Sequence, residues 1–127
     1  MIKTEPILAV KDVNKSSSWY QNLLNCKGIH GGTSFEILTD MDGNQILSLH
    51  KWDEHGHPTL TNPKVKAGHG LILYFRVDNL DRLWQNTKDL NAFIEEEPHL
   101  NKNSGRMEFS LRDLDDYYIS ICAEVTD

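Results

Sequence analysis

The sequence predicts an α+β fold built from two copies of one strand–helix–strand–strand–strand unit. Two observations carry that reading. Phe35-Glu36-Ile37-Leu38-Thr39-Asp40-Met41-Asp42-Gly43-Asn44-Gln45-Ile46-Leu47-Ser48-Leu49 runs aromatic strand, acidic turn, apolar strand, and Glu108 to Ile121 repeats that order around Asp113-Leu114-Asp115-Asp116. A second echo lies upstream of each copy. Leu8-Ala9-Val10-Lys11-Asp12-Val13 precedes a helical stretch containing Trp19, and Phe75-Arg76-Val77-Asp78-Asn79-Leu80 precedes another containing Trp84. Repetition at this scale marks a duplicated supersecondary unit.

In chain order, Glu5 to Val10 reads as the first strand, with Leu8 and Val10 on one face and Glu5, Ile7 and Ala9 on the other. Asp12 or Asn14 caps a helix from about Lys15 to Leu24, with Trp19, Tyr20 and Leu23 inward. Gly28, Gly31 and Gly32 mark a weak, kinked strand. Phe35 to Thr39 and Gln45 to His50 form a hairpin around Asp42-Gly43. Lys51 to His69 is a long connection broken by Gly56, Pro58, Pro63 and Gly68, and loops of this length often carry function. Gly70 to Val77 opens the second unit, and Asp78 caps a helix to about Leu90 with Leu80, Leu83, Trp84 and Thr87 inward. Phe93 to Glu95 is a short strand, Pro98 to Gly105 a polar loop, and Arg106 to Arg112 pairs with Tyr117 to Ile121. The turn between them lacks the usual Gly, so either Asp116 takes the positive φ or the turn adopts another form.

A chain of 127 residues is sized for one domain, residues 1–127, with module one at about 1–52, a linker at about 53–68 and module two at about 69–127. The formal net charge of −6 excludes nucleic acid and an anionic membrane surface as main partners. Cys26 and Cys122 read as free thiols of a reduced, cytoplasmic protein; no apolar run reaches membrane-spanning length. Gly31-Gly32-Thr33 lacks the Lys and helix of a phosphate loop.

Two βαβββ units that open on Val-x-Asp before a helix and close on an acidic hairpin resemble the vicinal-oxygen-chelate superfamily, which includes glyoxalase I, bleomycin-resistance proteins and extradiol dioxygenases. The resemblance spans Glu5 to Ile121. Ser18-Trp19-Tyr20-Gln21-Asn22-Leu23-Leu24 is similar to the family's first-helix phrase. Asp113-Leu114-Asp115-Asp116-Tyr117 is similar to its closing Asp-Pro-Asp-Gly-Tyr, with Leu114 in place of Pro and Asp116 in place of Gly. The resemblance implies a curved, mostly antiparallel eight-stranded sheet with helices on the outer side, a cavity on the inner side and a homodimer.

Strand parity then assigns the cavity face. It receives Glu5, Ile7 and Ala9 from the first strand, Ile72, Tyr74 and Arg76 from the fifth, and Tyr118, Ser120 and Cys122 from the last. The fourth strand offers Ser48, His50 and Trp52, or Leu47 and Leu49 if the register slips; the polar set is the better fit to a ligand or water. The expected ligand-binding set is Glu5, Ile7, Ser48, His50, Trp52, Tyr74, Arg76, Glu108 and Ser120. Arg76 is expected either to pair with Glu5 or Glu108 and to receive an acidic ligand group, or to reach into water at the strand ends as those carboxylates do.

The resemblance also implies metal ligands at four matched positions, which fall on Glu5, Ser48, Ile72 and Ser120. Glu5 alone binds a divalent metal well, against the three protein ligands or so that a catalytic site needs. No cofactor is therefore expected. A rival divalent-metal set is Glu5, His50, His55 and His57, with His55 and His57 on a loop that folds back. The resulting expectation is a metal-independent small-molecule-binding protein. The alternatives are a metal-dependent lyase or dioxygenase with a non-standard site, and a non-catalytic dimerisation or accessory module.

Overall fold

Among the described residues, eight strands and two α-helices follow one another as two βαβββ modules. The computed structural model describes Met1 and residues 3–54, 57–65 and 68–124. The chain divides into two compact units, Met1–Lys66 and Ala67–Asp127.

The first unit comprises β1 (Ile7–Val10), α1 (Val13–Leu24), β2 (Lys27–Gly28), β3 (Phe35–Thr39) and β4 (Gln45–Lys51), in the sheet order β1-β4-β3-β2. β1 runs parallel to β4, while β3 pairs antiparallel with β4 and β2. Leu8 lies opposite Leu49, and Leu38 opposite Leu47, so alternation sends these residues and Val10 to one face, where all are buried. α1 covers that face with Val13, Trp19, Tyr20 and Leu23. Each buried leucine there contributes about 1.5–3 kcal/mol. Asp12 is the N-cap, accepting from the Lys15 N–H at 3.0 Å, so α1 begins at Val13, two residues earlier than the pattern suggested.

The second unit comprises β5 (Ile72–Val77), α2 (Leu80–Asp89), β6 (Phe93–Asn101), β7 (Arg106–Arg112) and β8 (Tyr118–Ala123), in the sheet order β5-β8-β7-β6. Again one pairing, β5 with β8, is parallel and the other two are antiparallel. Leu73, Ile119 and Leu111 share one rung, and Phe75, Ile121 and Phe109 share another. α2 packs on β8, and Trp84, itself half-buried, sets its ring edge-to-face on Phe109 with centroids 5.1 Å apart.

Two expectations are corrected here. The cap of α2 is Asn79, not Asp78: its side chain accepts from the Arg82 N–H at 3.2 Å. Aligning the repeats through Val10 and Val77 puts Asn79 at the place of Asp12, so both modules cap at the same position. β6 runs on to Asn101 instead of stopping before Pro98. It is an edge strand, where a missing N–H is tolerated, and its register shifts between Glu96 and His99 to pass the proline.

The two closing hairpins are the same turn. Asp40 Oδ1 accepts from the Asp42 and Asn44 N–H groups at 2.9 and 2.8 Å; Asp113 Oδ1 accepts from Asp115 and Tyr117 at 2.8 and 2.9 Å. The Asn44 amide, followed by the other turn donors, holds the Asp40 carboxyl below its ordinary range. Gly43 sits at φ 85° in the first turn, and Asp116 takes φ 68° at the matching place in the second.

Candidate functional site

Alternation leaves Ile7, Ala9, Phe35, Ile37, Ser48 and His50 on the face of the first sheet away from α1. The register aligns Ile7, Ser48 and Ile37 across one rung, and Ala9, His50 and Phe35 across the next. A cavity of about 520 Å³ opens against this face. Its walls are the imidazoles of His30, His50 and His57, the apolar side chains of Ile7 and Phe35, and the loop Gly32-Thr33-Ser34.

The rings meet edge-to-face in a continuous row. Centroids are 5.1 Å apart for His30 and Phe35, 6.1 Å for Phe35 and His50, and 4.9 Å for His50 and His57. Such pairs suit the opposed charges of ring edge and ring face. His50 Nδ1–H donates to the Lys51 carbonyl at 2.7 Å, and His30 Nδ1–H donates to the Gly31 carbonyl at 2.7 Å. A carbonyl only accepts, so these contacts put a proton on Nδ1 of each ring.

Backbone contacts bring the outlying pieces to the strands. The Asp53 N–H donates to the Leu60 carbonyl at 2.6 Å, and a 3-10 turn at Pro58–Leu60 follows His57, so the connection returns to the end of β4 with His57 against His50. The Gly-rich loop is held from the other side of the sheet. Glu36, opposite Leu49 and only 7% exposed, accepts from the His30, Gly31 and Ile37 N–H groups at 2.7, 3.1 and 2.9 Å.

Among the described residues no three His, Cys, Asp or Glu side chains converge to hold a metal ion. The His50–His57 pair is T-shaped at 88°. Of the rival metal set, Glu5 is exposed ahead of β1, and His55 lies outside the described residues.

The open face of the second sheet is polar and bonded to itself. Arg76, Cys122 and Glu108 share a rung, as do Tyr74, Ser120 and Ser110. Buried Glu108 accepts from Tyr74 Oη at 2.6 Å and Asn101 Nδ2 at 2.8 Å. That bond to Glu108 first, then burial, pushes the Tyr74 phenol far above its ordinary range. Tyr118 Oη donates to Ser110 Oγ at 2.9 Å, and Ser110 Oγ donates to Glu96 at 3.1 Å. Arg112 Nε reaches Glu95 at 3.2 Å, and its guanidinium lies 4.8 Å over the Tyr118 ring. Within this unit the expected Arg76–Glu108 ion pair is not formed: Glu108 is taken by Tyr74 and Asn101, and Arg76 is exposed.

Of the expected site residues, Ile7 and His50 line the cavity, and Ser48 is buried beside Ile7 on the same face. Trp52 lies past the end of β4 in a turn, half-buried and outside the lining, and Glu5 lies ahead of β1. Tyr74, Arg76, Glu108 and Ser120 gather on the second sheet. His30, Thr33, Ser34 and Phe35 were missed. Parity carried across the hairpin from His50 finds Phe35; nothing local signals the other three.

A family model described as Glyoxalase/Bleomycin resistance protein/Dioxygenase superfamily matches residues 4–121. Among solved structures, a glyoxalase/bleomycin resistance protein/dioxygenase family enzyme from Burkholderia phytofirmans PsJN is similar with a TM-score of 0.78 at 17% identity, covering 95% of this chain and 97% of that one. A protein from the mobile metagenome of V. pseudocholerae aligns with a TM-score of 0.75 at 18% identity, over 99% of this chain and 96% of its own. An integron cassette protein of V. cholerae gives 0.72 at 20% identity, over 98% and 99%. No curated protein matches the sequence.

Proposed function

We propose that this chain, which belongs to the glyoxalase/bleomycin resistance protein/dioxygenase superfamily, binds a small molecule on the open face of its first sheet without a resident metal ion. One observation carries the reading: a cavity of about 520 Å³ with aromatic and apolar walls and a few convergent polar groups. Ligand sites have that size and that composition. The four positions that metal-dependent relatives use carry Glu5, Ser48, Ile72 and Ser120; an isoleucine and two buried serines offer a divalent ion almost nothing.

On this reading the chain is a cytoplasmic homodimer. Both cysteines are free thiols, which suits a reducing compartment, and edge strand β6 exposes Phe93 and Leu100, which a second copy would cover. No helix is long and apolar enough to cross a membrane.

Metal analysis of protein purified without chelator, run beside a thermal-shift panel of small organic compounds, tests the function. Compounds that raise the melting temperature of the native protein, and lose that effect in Phe35→Ala, are the expected result. Stoichiometric Ni, Zn, Mn or Fe whose removal abolishes those shifts would overturn the metal-free reading.

A further inference from the structure

We infer that the cavity of the first sheet selects small, flat organic anions, with an aromatic carboxylate as the simplest member of the class; this rests on the reading of that cavity as a small-molecule site. The lining is one-sided in charge. Although the chain has 19 Asp and Glu against 13 Lys and Arg, none of the described residues that line this cavity is a carboxylate. The polar residues among those described in the lining are His30, His50, His57, Thr33 and Ser34. The nearest carboxylate in sequence, Glu36, belongs to the opposite face of the sheet and is committed to three backbone N–H groups. A cationic ligand would find no counter-charge among these described lining residues.

The histidine hydrogen bonds favour an anion in a second way. His30 and His50 each spend Nδ1–H on a backbone carbonyl, so a proton added to either ring goes to Nε2. Protonation therefore adds a donor and a positive charge without breaking the bond that orients the ring. A bound carboxylate stabilises that imidazolium through a charge-assisted hydrogen bond. Phe35 and Ile7 supply the apolar wall against which a flat ring lies, and the edge-to-face row from His30 to His57 offers ring edges to its π-face.

The probes are benzoate, its neutral isostere benzamide, and benzylamine, each titrated into the full-length protein while the imidazole 15N and 13C resonances are followed by NMR. Benzoate is expected to bind at least about tenfold tighter than either of the others and to shift an Nε2 resonance towards its protonated position. His57→Ala and His30→Ala, both at exposed positions, should each weaken benzoate several-fold while leaving the backbone spectrum of β1, β3 and β4 unchanged. Because His50 is buried and its replacement risks the fold, these two variants carry the test. Benzamide or benzylamine perturbing the same imidazoles as strongly as benzoate would overturn the charge selectivity and leave the small-molecule site standing. If none of the three perturbs them, the cavity is not the binding site and both readings fall.

Discussion

Gly28→Ala tests whether the loop that walls the cavity is organised from behind the sheet. Gly28 is not in the left-handed region, so an alanine fits its backbone. The obstacle is space: a Cβ there would lie 2.8 Å from Glu36 Oε2, 2.9 Å from its carboxyl carbon and 3.1 Å from Gln21 Nε2. Ordinary carbon contacts begin at about 3.5 Å, so the carboxylate must retreat by roughly 0.6 Å. The Gly31 N–H already sits at 3.1 Å from both carboxylate oxygens, and a retreat of that size takes it out of hydrogen-bond reach. Losing one bond to a charged acceptor costs about 1.5–3 kcal/mol. The alanine recovers about 0.4–1 kcal/mol by restricting the unfolded chain. A net loss of about 1–2 kcal/mol is expected in urea denaturation, with amide shifts centred on His30 and Gly31. In a Glu36→Ala background the same substitution should be neutral or slightly stabilising, a coupling of about 2 kcal/mol. Equal costs in both backgrounds would refute the reasoning.

Three further outcomes are expected. Asp116→Gly should stabilise the protein by about 0.5–1 kcal/mol in urea denaturation, since the left-handed penalty of an L-residue exceeds the entropic cost of glycine, and Gly43→Ala should destabilise by about 1 kcal/mol. Tyr74 has a raised folded-state pKa, so its contribution is complete below the ordinary tyrosine value of about 10 and is lost as pH rises above it; Tyr74→Phe should flatten the alkaline fall in stability, and ultraviolet titration of the folded wild type should show one tyrosine ionising late. Burial pushes the Cys26 thiol up to about 11, and Cys122 is fully buried, so a thiol reagent at pH 8 should react with neither until guanidinium unfolds the chain.

Much of this architecture was legible because alternation and turn chemistry are local. Leu8 and Val10 against Ile7 and Ala9 follow from period-two parity alone, and the polarity of Ser48 and His50 chose between the two faces that parity left open for β4. The register of β4 was the ambiguous point, and a bulge is the reason. Counting from Asp40 as from Asp113 puts Leu47 at the place of Ser120, but the pairing shifts by one residue between Leu38 and Thr39. The extra residue brings Ser48 into line with Ser120. β6 was cut short because Pro98 reads as a breaker when the strand's edge position is unknown. The loop from Ile29 to Ser34 and the return of His57 stayed hidden for another reason. Both are set by contacts that leave no periodic trace: the Glu36 carboxylate on the His30 and Gly31 amides, and the Asp53 N–H on the Leu60 carbonyl.

With the bulge counted, the two modules can be compared rung by rung, and the duplicated scaffold proves to carry unlike chemistry. The rung Ala9–His50–Phe35 corresponds to Arg76–Cys122–Glu108, and Ile7–Ser48–Ile37 to Tyr74–Ser120–Ser110. Where the first sheet has a small residue and a phenylalanine beside its histidine, the second has an arginine and a buried carboxylate beside a thiol. That carboxylate is then satisfied by its own neighbours, Tyr74 and Asn101, and Ser110 and Tyr118 engage Glu96 in the same way. Polar groups bonded to each other in this manner resist a ligand, which would have to break bonds of 2.6 to 2.9 Å and replace them with equally good ones. The first sheet keeps its polar groups at the rim of an apolar floor, where a ligand adds contacts while the Nδ1 bonds of His30 and His50 stay in place. The asymmetry of those two rungs supports the proposal that a ligand binds the first module, while the second carries a structural hydrogen-bond network.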